Sequence, residues 1–107
     1  QYVALSDEDM LRVIREAARP DPPYETGEFI CWGFAIKRWG EVMTAWANLA
    51  KQGKFVAWGV AEVHFAGAPT NHALNWWVND EHHLRLFEPQ VNALSTQKID
   101  EYFGYQA

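Results

Sequence analysis

HALNWWV at residues 72–78 and HHLRLFE at residues 82–88, with NDE between them, form the stretch that decides the fold. Both runs are rich in aromatic and apolar residues and the connection is polar, which predicts a β-hairpin. A turn centred on Asp80 opposes residues whose numbers sum to 160: Trp76 with Leu84, Leu74 with Leu86, and His72 with Glu88. One face of the hairpin is then apolar and ends in an imidazole opposite a carboxylate, with Cβ atoms about 5 Å apart.

The residues before the hairpin predict two helices and a strand. Ser6 followed by three acids is typical of a helix start, and the apolar spacing predicts a helix over 7–18 that the prolines after Arg19 end. A second apolar stripe predicts a helix from Cys31 to Gln52, carried by Phe34, Ala35, Trp39, Val42, Trp46 and Leu49. Residues 55–65 predict a strand, and 95–102 a short final helix. We therefore predict one α+β domain over residues 1–107, with helices packed on an antiparallel sheet of three or more strands.

The composition excludes several classes of protein. Hydrophobic residues make up 49% and aromatic residues 15% of the chain, which excludes a disordered segment. The net charge is −5 and the basic residues are scattered, so nucleic acid is not an expected partner. No run approaches the ~20 apolar residues of a membrane span, and the first residues lack a signal-peptide pattern. One cysteine excludes an internal disulfide. Localisation stays open, and the aromatic content is compatible with a homodimer.

Three residues predict a possible chemical site, each with a structural alternative. A carboxylate at Glu88 would fix the tautomer of His72 and leave its other ring nitrogen as a base. The alternative is a plain cross-strand ion pair that contributes little energy. Cys31 is expected in the first turn of its helix, where the backbone N–H groups and the helix dipole stabilise a thiolate. A buried cysteine that packs as a small hydrophobic residue is the alternative.

The order Cys31, His72, Glu88 resembles that of the papain-like cysteine peptidases, and Cys31-Trp32 resembles the pair at their nucleophile. The stretches 71–75 (NHALN) and 88–90 (EPQ) are similar to motifs of small papain-fold modules, such as the C-terminal domain of the Marasmius mushroom agglutinin and bacterial toxin domains. The resemblance implies a thiol protease or related hydrolase acting on a peptide or amide substrate. Cys31 would be the nucleophile, His72 the general base and acid, and Glu88 the orienting acid.

The chain departs from that family in two places. The acids that flank the cysteine in many relatives are replaced by Ile30 and Trp32, so the calcium dependence of the agglutinin is not predicted here. Residues 24–28 offer no side-chain amide as an oxyanion donor, which leaves backbone N–H groups or the supporting residues Trp32 and Gln90. The alternative function is a non-catalytic papain-like scaffold that acts as a binding or assembly module.

No cofactor or metal is predicted. His64, His82 and His83 lack the paired spacing of metal ligands, since adjacent strand residues point to opposite faces. The six tryptophans either line a ligand groove or, as their spacing favours, form the core. Asn75 falls on the hairpin face opposite His72, where we expect it to make structural hydrogen bonds.

Overall fold

The structure is a computed structural model that describes residues 2–24, 30–47, 51, 53, 55–97 and 99–106. Its elements, in chain order, are β1 (Tyr2–Val3), α1 (Asp7–Ala17), α2 (Cys31–Ala45), β2 (Phe55–Val56), β3 (Trp58–Phe65), β4 (His72–Val78), β5 (Leu84–Glu88), β6 (Ala93–Leu94) and β7 (Ile99–Gln106). The α+β class is confirmed, as is the packing of helices on an antiparallel sheet.

The main sheet has five strands in the order β6-β5-β4-β3-β7, and every neighbouring pair is antiparallel. The two short strands β1 and β2 form a separate parallel pair. Helix α2 packs on one face of the main sheet, chiefly against β4, and α1 packs against α2. No helix among the described residues is long and apolar enough to cross a membrane.

Both helices begin where the sequence predicts. The Ser6 hydroxyl accepts a hydrogen bond from the backbone N–H of Asp9 at 3.1 Å, which caps α1. Helix α2 starts at Cys31 and ends at Ala45, short of the predicted end at Gln52. Ala47 and Lys51 are again helical, and residues 48–50 and 52 lie outside the described residues.

The hairpin of β4 and β5 has a register that differs from the prediction by two residues. Val78 pairs with Leu84 and Trp76 with Leu86, so opposed numbers sum to 162 rather than 160. The cause is a longer connection, residues 79–83, in which the side-chain oxygen of Asn79 accepts from the backbone N–H groups of Glu81 and His83. Because the shift is even, each side chain stays on its predicted face.

Two other predicted elements are corrected. The predicted helix over 95–102 is wrong: residues 99–106 form β7, which pairs along β3. The unpaired edge of β3 offers backbone partners along its whole length, and such tertiary pairing overrides a weak local helix pattern. The predicted strand over 55–65 is divided at Ala57, whose carbonyl accepts from the backbone N–H of Val78.

Two apolar clusters cover the two faces of the main sheet. The helix-facing cluster consists of Met10, Ile14, Val42, Val56, Trp58, Trp77 and Phe87. Within it the rings of Trp58, Trp77 and Phe87 lie 6.4 Å apart in tilted pairs. Ala61, Val63, Phe65 and Leu74 form the cluster on the opposite face. The core interpretation is therefore confirmed for Trp58 and Trp77.

Candidate functional site

The first residue of β4 and the last residue of β5 meet through their side chains. Nε2 of His72 donates a hydrogen bond to Oε1 of Glu88, and both side chains are about one quarter exposed. The other carboxylate oxygen, Oε2, accepts from the backbone N–H of Gln90 at 3.1 Å. The ring of Phe65 lies 5.9 Å from the imidazole. These contacts hold the side chains of His72 and Glu88 in place at one corner of the sheet.

An open depression of about 380 Å³ lies beside this pair. Its polar lining comprises Thr70, Asn71, His72, Glu88, Gln90 and Gln97. Its apolar lining is Phe65, Ala68 and Val91, and the side chain of Val91 is 70% exposed. The volume lies at the small end of the ~300–1,000 Å³ range of ligand sites. The depression therefore combines hydrogen-bond donors and acceptors with an apolar patch.

The turn that follows Glu88 is anchored by a buried arginine. Arg38 is fully buried, and its Nη2 donates to the carbonyl of Pro89 at 3.0 Å. Its guanidinium also forms ion pairs with Asp21 at 2.6 Å and Glu41 at 2.5 Å. Lys37 adds a second cation to the same two carboxylates, at 2.8 and 2.6 Å. We call these four charged residues the α2 ion cluster.

The contacts within the α2 ion cluster lower the pKa values of its two carboxyl groups. Burial by itself would raise the pKa of Asp21, but hydrogen bonds from Arg38 and Lys37 hold that pKa below its ordinary value. Burial also opposes ionisation of Glu41, yet hydrogen bonds from Lys37, the Arg19 backbone and Arg38 lower its pKa. Both carboxyls therefore stay ionised around the buried guanidinium.

Cys31 and Trp32 lie away from the depression, whose described lining includes neither of them. Both pack against a small cluster made of Ala35, Val60 and Ala73 on the α2-facing side of the sheet. His72 precedes Ala73 in the same strand, and it pairs with Val63, a member of the opposite cluster. Since successive strand residues alternate between faces, the side chain of His72 leaves β4 on the face opposite that of Ala73.

The five predicted site residues are therefore divided. The structure brings His72, Glu88 and Gln90 together around one depression, and it places Cys31 and Trp32 elsewhere. Asn75 makes the structural hydrogen bonds expected of it: Nδ2 donates to the carbonyls of Ala35 at 2.8 Å and Gly59 at 3.3 Å. Within the part of the chain that the structure describes, no three His, Cys, Asp or Glu side chains form a metal cluster.

Arg38 is the main residue that the sequence interpretation missed. It stands four residues before Val42 and three after Ala35, so it lies on the buried face of α2. A cation on an apolar helix face is the signal that could have found it, because a buried charge needs partners. Glu41 at i+3 supplies one partner within the helix, but the approach of Asp21 and Pro89 is a matter of tertiary structure.

Comparison with solved structures places this fold among chains of a fungal lectin. The chain resembles the Polyporus squamosus lectin bound to the epitope Neu5Acα2-6Galβ1-4GlcNAc, with a TM-score of 0.70 and 23% identity over 96% of its residues. It also resembles the structure described as the "PSL1a-E64 complex", with a TM-score of 0.66 and 21% identity over 92%. The chain spans 38% of the length of either neighbour. No protein-family model and no curated protein sequence matches it significantly.

These neighbours correct the functional predictions. The predicted papain-like peptidase identity is wrong, because the structural neighbours are chains of a sugar-binding lectin. The predicted cysteine hydrolase and its peptide or amide substrate are wrong for the same reason. Cys31 does not line the depression that His72 and Glu88 line. The alternative, a non-catalytic binding module, fits the neighbours better.

Proposed function

We propose that residues 1–107 form one non-catalytic binding domain whose ligand is a glycan, held in the depression beside His72 and Glu88. The observation that carries the proposal is the lining itself. Sugar hydroxyl groups both donate and accept hydrogen bonds. The side-chain amides of Asn71 and Gln90 can also donate and accept, and the carboxylate of Glu88 accepts. The likeness of the fold to lectin chains supports the same ligand class.

The apolar part of the lining supports the proposal independently. A pyranose ring has a face of C–H groups, which needs apolar contact rather than hydrogen bonds. Val91 is 70% exposed at the depression, and Phe65 and Ala68 continue the apolar patch. A small site with a few placed polar groups and an apolar wall is the usual design of ligand pockets. The volume suits one or two sugar rings.

A glycan array followed by calorimetry tests the proposal. We expect binding to at least one hydroxyl-rich glycan, with amide shifts in NMR titration at Asn71, Gln90 and Val91. Gln90→Ala should weaken binding about tenfold through lost hydrogen bonds. Thr70→Ala should also weaken it, whereas Thr96→Ala is a matched control because Thr96 is exposed but does not line the depression.

Two results would contradict the proposal. One is an array on which no glycan binds above background. The other is a bound glycan whose NMR shifts and mutational effects lie away from the residues that line the depression.

A further inference from the structure

One carboxylate sets the charge of the depression. Glu88 lines it with about one fifth of its side chain exposed, and the only other ionisable residue in the described lining is His72, its hydrogen-bond donor. No lysine or arginine is among the described residues that line the depression. Among the described lining residues, a ligand therefore meets one carboxylate and no lysine or arginine.

The position of this carboxylate is fixed. Oε1 accepts from His72 and Oε2 from the backbone N–H of Gln90, so rotation away from a ligand would break both bonds. The Gln90 backbone is itself held, because Arg38 donates to the carbonyl of the preceding Pro89. Glu88 cannot swing aside for a negatively charged ligand without losing these contacts.

Three described cations of α1 and α2, Arg15, Lys37 and Arg38, are engaged elsewhere. Arg38 is fully buried, and Lys37 pairs with Asp21 and Glu41, so the α2 ion cluster leaves neither for a ligand carboxylate. Arg15 donates to the carbonyl of Asn92, but it lines a separate depression on α1. Sites for carboxylates normally present arginine or lysine directly to the two oxygens.

From this charge arrangement we infer that the depression selects neutral glycans and discriminates against sialylated ones, an inference that rests on the proposed glycan-binding function. A sialic acid brings a carboxylate, and its approach to Glu88 within hydrogen-bonding range is a like-charge contact. A neutral sugar instead donates its hydroxyl groups to the exposed part of the same carboxylate. The Polyporus squamosus lectin is named as bound to a sialylated epitope, but this protein spans only 38% of the length of that lectin chain.

The test uses pairs of glycans that are identical except for a terminal sialic acid, including Galβ1-4GlcNAc and Neu5Acα2-6Galβ1-4GlcNAc. We expect the neutral member of a bound pair to bind about tenfold or more tightly than its sialylated partner, as a like-charge approach at about 4 Å predicts. The methyl ester of the sialic acid keeps its shape without the charge. It should recover most of the lost affinity.

Two variants connect the selectivity to Glu88. Glu88→Gln removes the charge and should narrow the neutral-to-sialylated ratio severalfold, whereas Glu81→Gln is a matched control because Glu81 is exposed and outside the depression. Since Glu88→Gln could disturb the turn, Asn71→Lys provides a second variant on an exposed residue, and it should improve the sialylated ligand selectively.

The outcomes separate the inference from the function on which it rests. Equal or tighter binding of the sialylated glycans overturns the inference and leaves glycan binding intact. The inference is also overturned if neither Glu88→Gln nor Asn71→Lys changes the ratio of the affinities for neutral and sialylated glycans. Binding to no glycan in either group overturns the proposed function, and the selectivity falls with it.

Discussion

Nη2 of Arg38 lies 3.0 Å from the carbonyl oxygen of Pro89, which connects the middle of α2 to the residue that follows Glu88. The donor is fully buried, so water cannot replace this bond if it is lost. The contact makes the corner of the sheet that carries His72 and Glu88 dependent on the α2 ion cluster, about half a chain earlier in sequence.

Replacement of Arg38 by methionine should destabilise the fold substantially. The substitution leaves the Pro89 carbonyl, Asp21 and Glu41 without their buried partner, and breaking a buried ion pair from one side costs about 3–5 kcal/mol. We expect a loss near the lower end, about 3 kcal/mol, because both carboxylates keep some exposure. Urea unfolding measures it.

The matched control for this prediction is Arg12→Met. Arg12 also pairs with an acid, Asp9, at 2.6 Å, but its side chain is 61% exposed. An exposed pair contributes less than about 1 kcal/mol. Equal losses of unfolding free energy for Arg12→Met and Arg38→Met would show that burial of the α2 ion cluster has no particular role.

Stability should decline in acid through the same cluster. Asp21 and Glu41 have pKa values below their ordinary values of 3.8 and 4.5 because their partners outweigh burial. A carboxyl whose pKa is lowered by folding stabilises the fold fully above its unfolded pKa, and that contribution is lost as pH falls through the folded pKa. We expect the free energy of unfolding to fall between about pH 5 and about pH 2.

The Arg38→Met variant is the comparison for the acid experiment. Without the guanidinium, the pKa values of Asp21 and Glu41 should lie closer to their ordinary values, and the pH dependence should be shallower. Urea denaturation at a series of pH values measures both proteins. A variant with the same slope as the wild type would mean that other carboxyls dominate acid unfolding.

Much of this architecture follows from local sequence, and the exceptions have a physical pattern. The Ser6 cap, the start of α2 at Cys31 and the faces of the hairpin depend on neighbouring residues, and the structure has them. The register depended on the length of one connection, and residues 79–83 form a turn around the Asn79 side chain that residue types alone did not specify. An even shift preserved the faces but changed the partners.

The other main errors of the sequence interpretation concern long-range contacts. Strand β7 forms because β3 offers it an edge, and Arg38 is buried because Asp21 and Pro89 approach from distant parts of the chain. The packing of Cys31 against Ala73 also depends on which face of β4 meets α2, and a motif of residue types and spacing does not contain that information.

Asn75 should be far more sensitive to substitution than Asn71, although both belong to the same motif. Nδ2 of Asn75 donates to two backbone carbonyls in the interior, and Asn75→Asp would place a carboxylate against those acceptors. We expect a loss of about 3 kcal/mol or more. Asn71→Asp, on an exposed residue, should change stability by less than about 0.5 kcal/mol. Thermal and urea unfolding compare them, and similar losses would contradict the buried role of Asn75.

Substitution of Cys31 should leave the depression unchanged, whereas substitution of His72 should not. Cys31 packs with Ala35, Val60 and Ala73 on the α2 side, so Cys31→Ala should remove a small apolar contact and cost about 1 kcal/mol. His72→Ala removes the donor to Glu88 on the other face. In NMR spectra we expect Cys31→Ala to shift the amides of its neighbours but not that of Val91, which His72→Ala should shift. Equal effects of the two substitutions at Val91 would contradict this prediction, because they would mean that the thiol and the depression are structurally coupled.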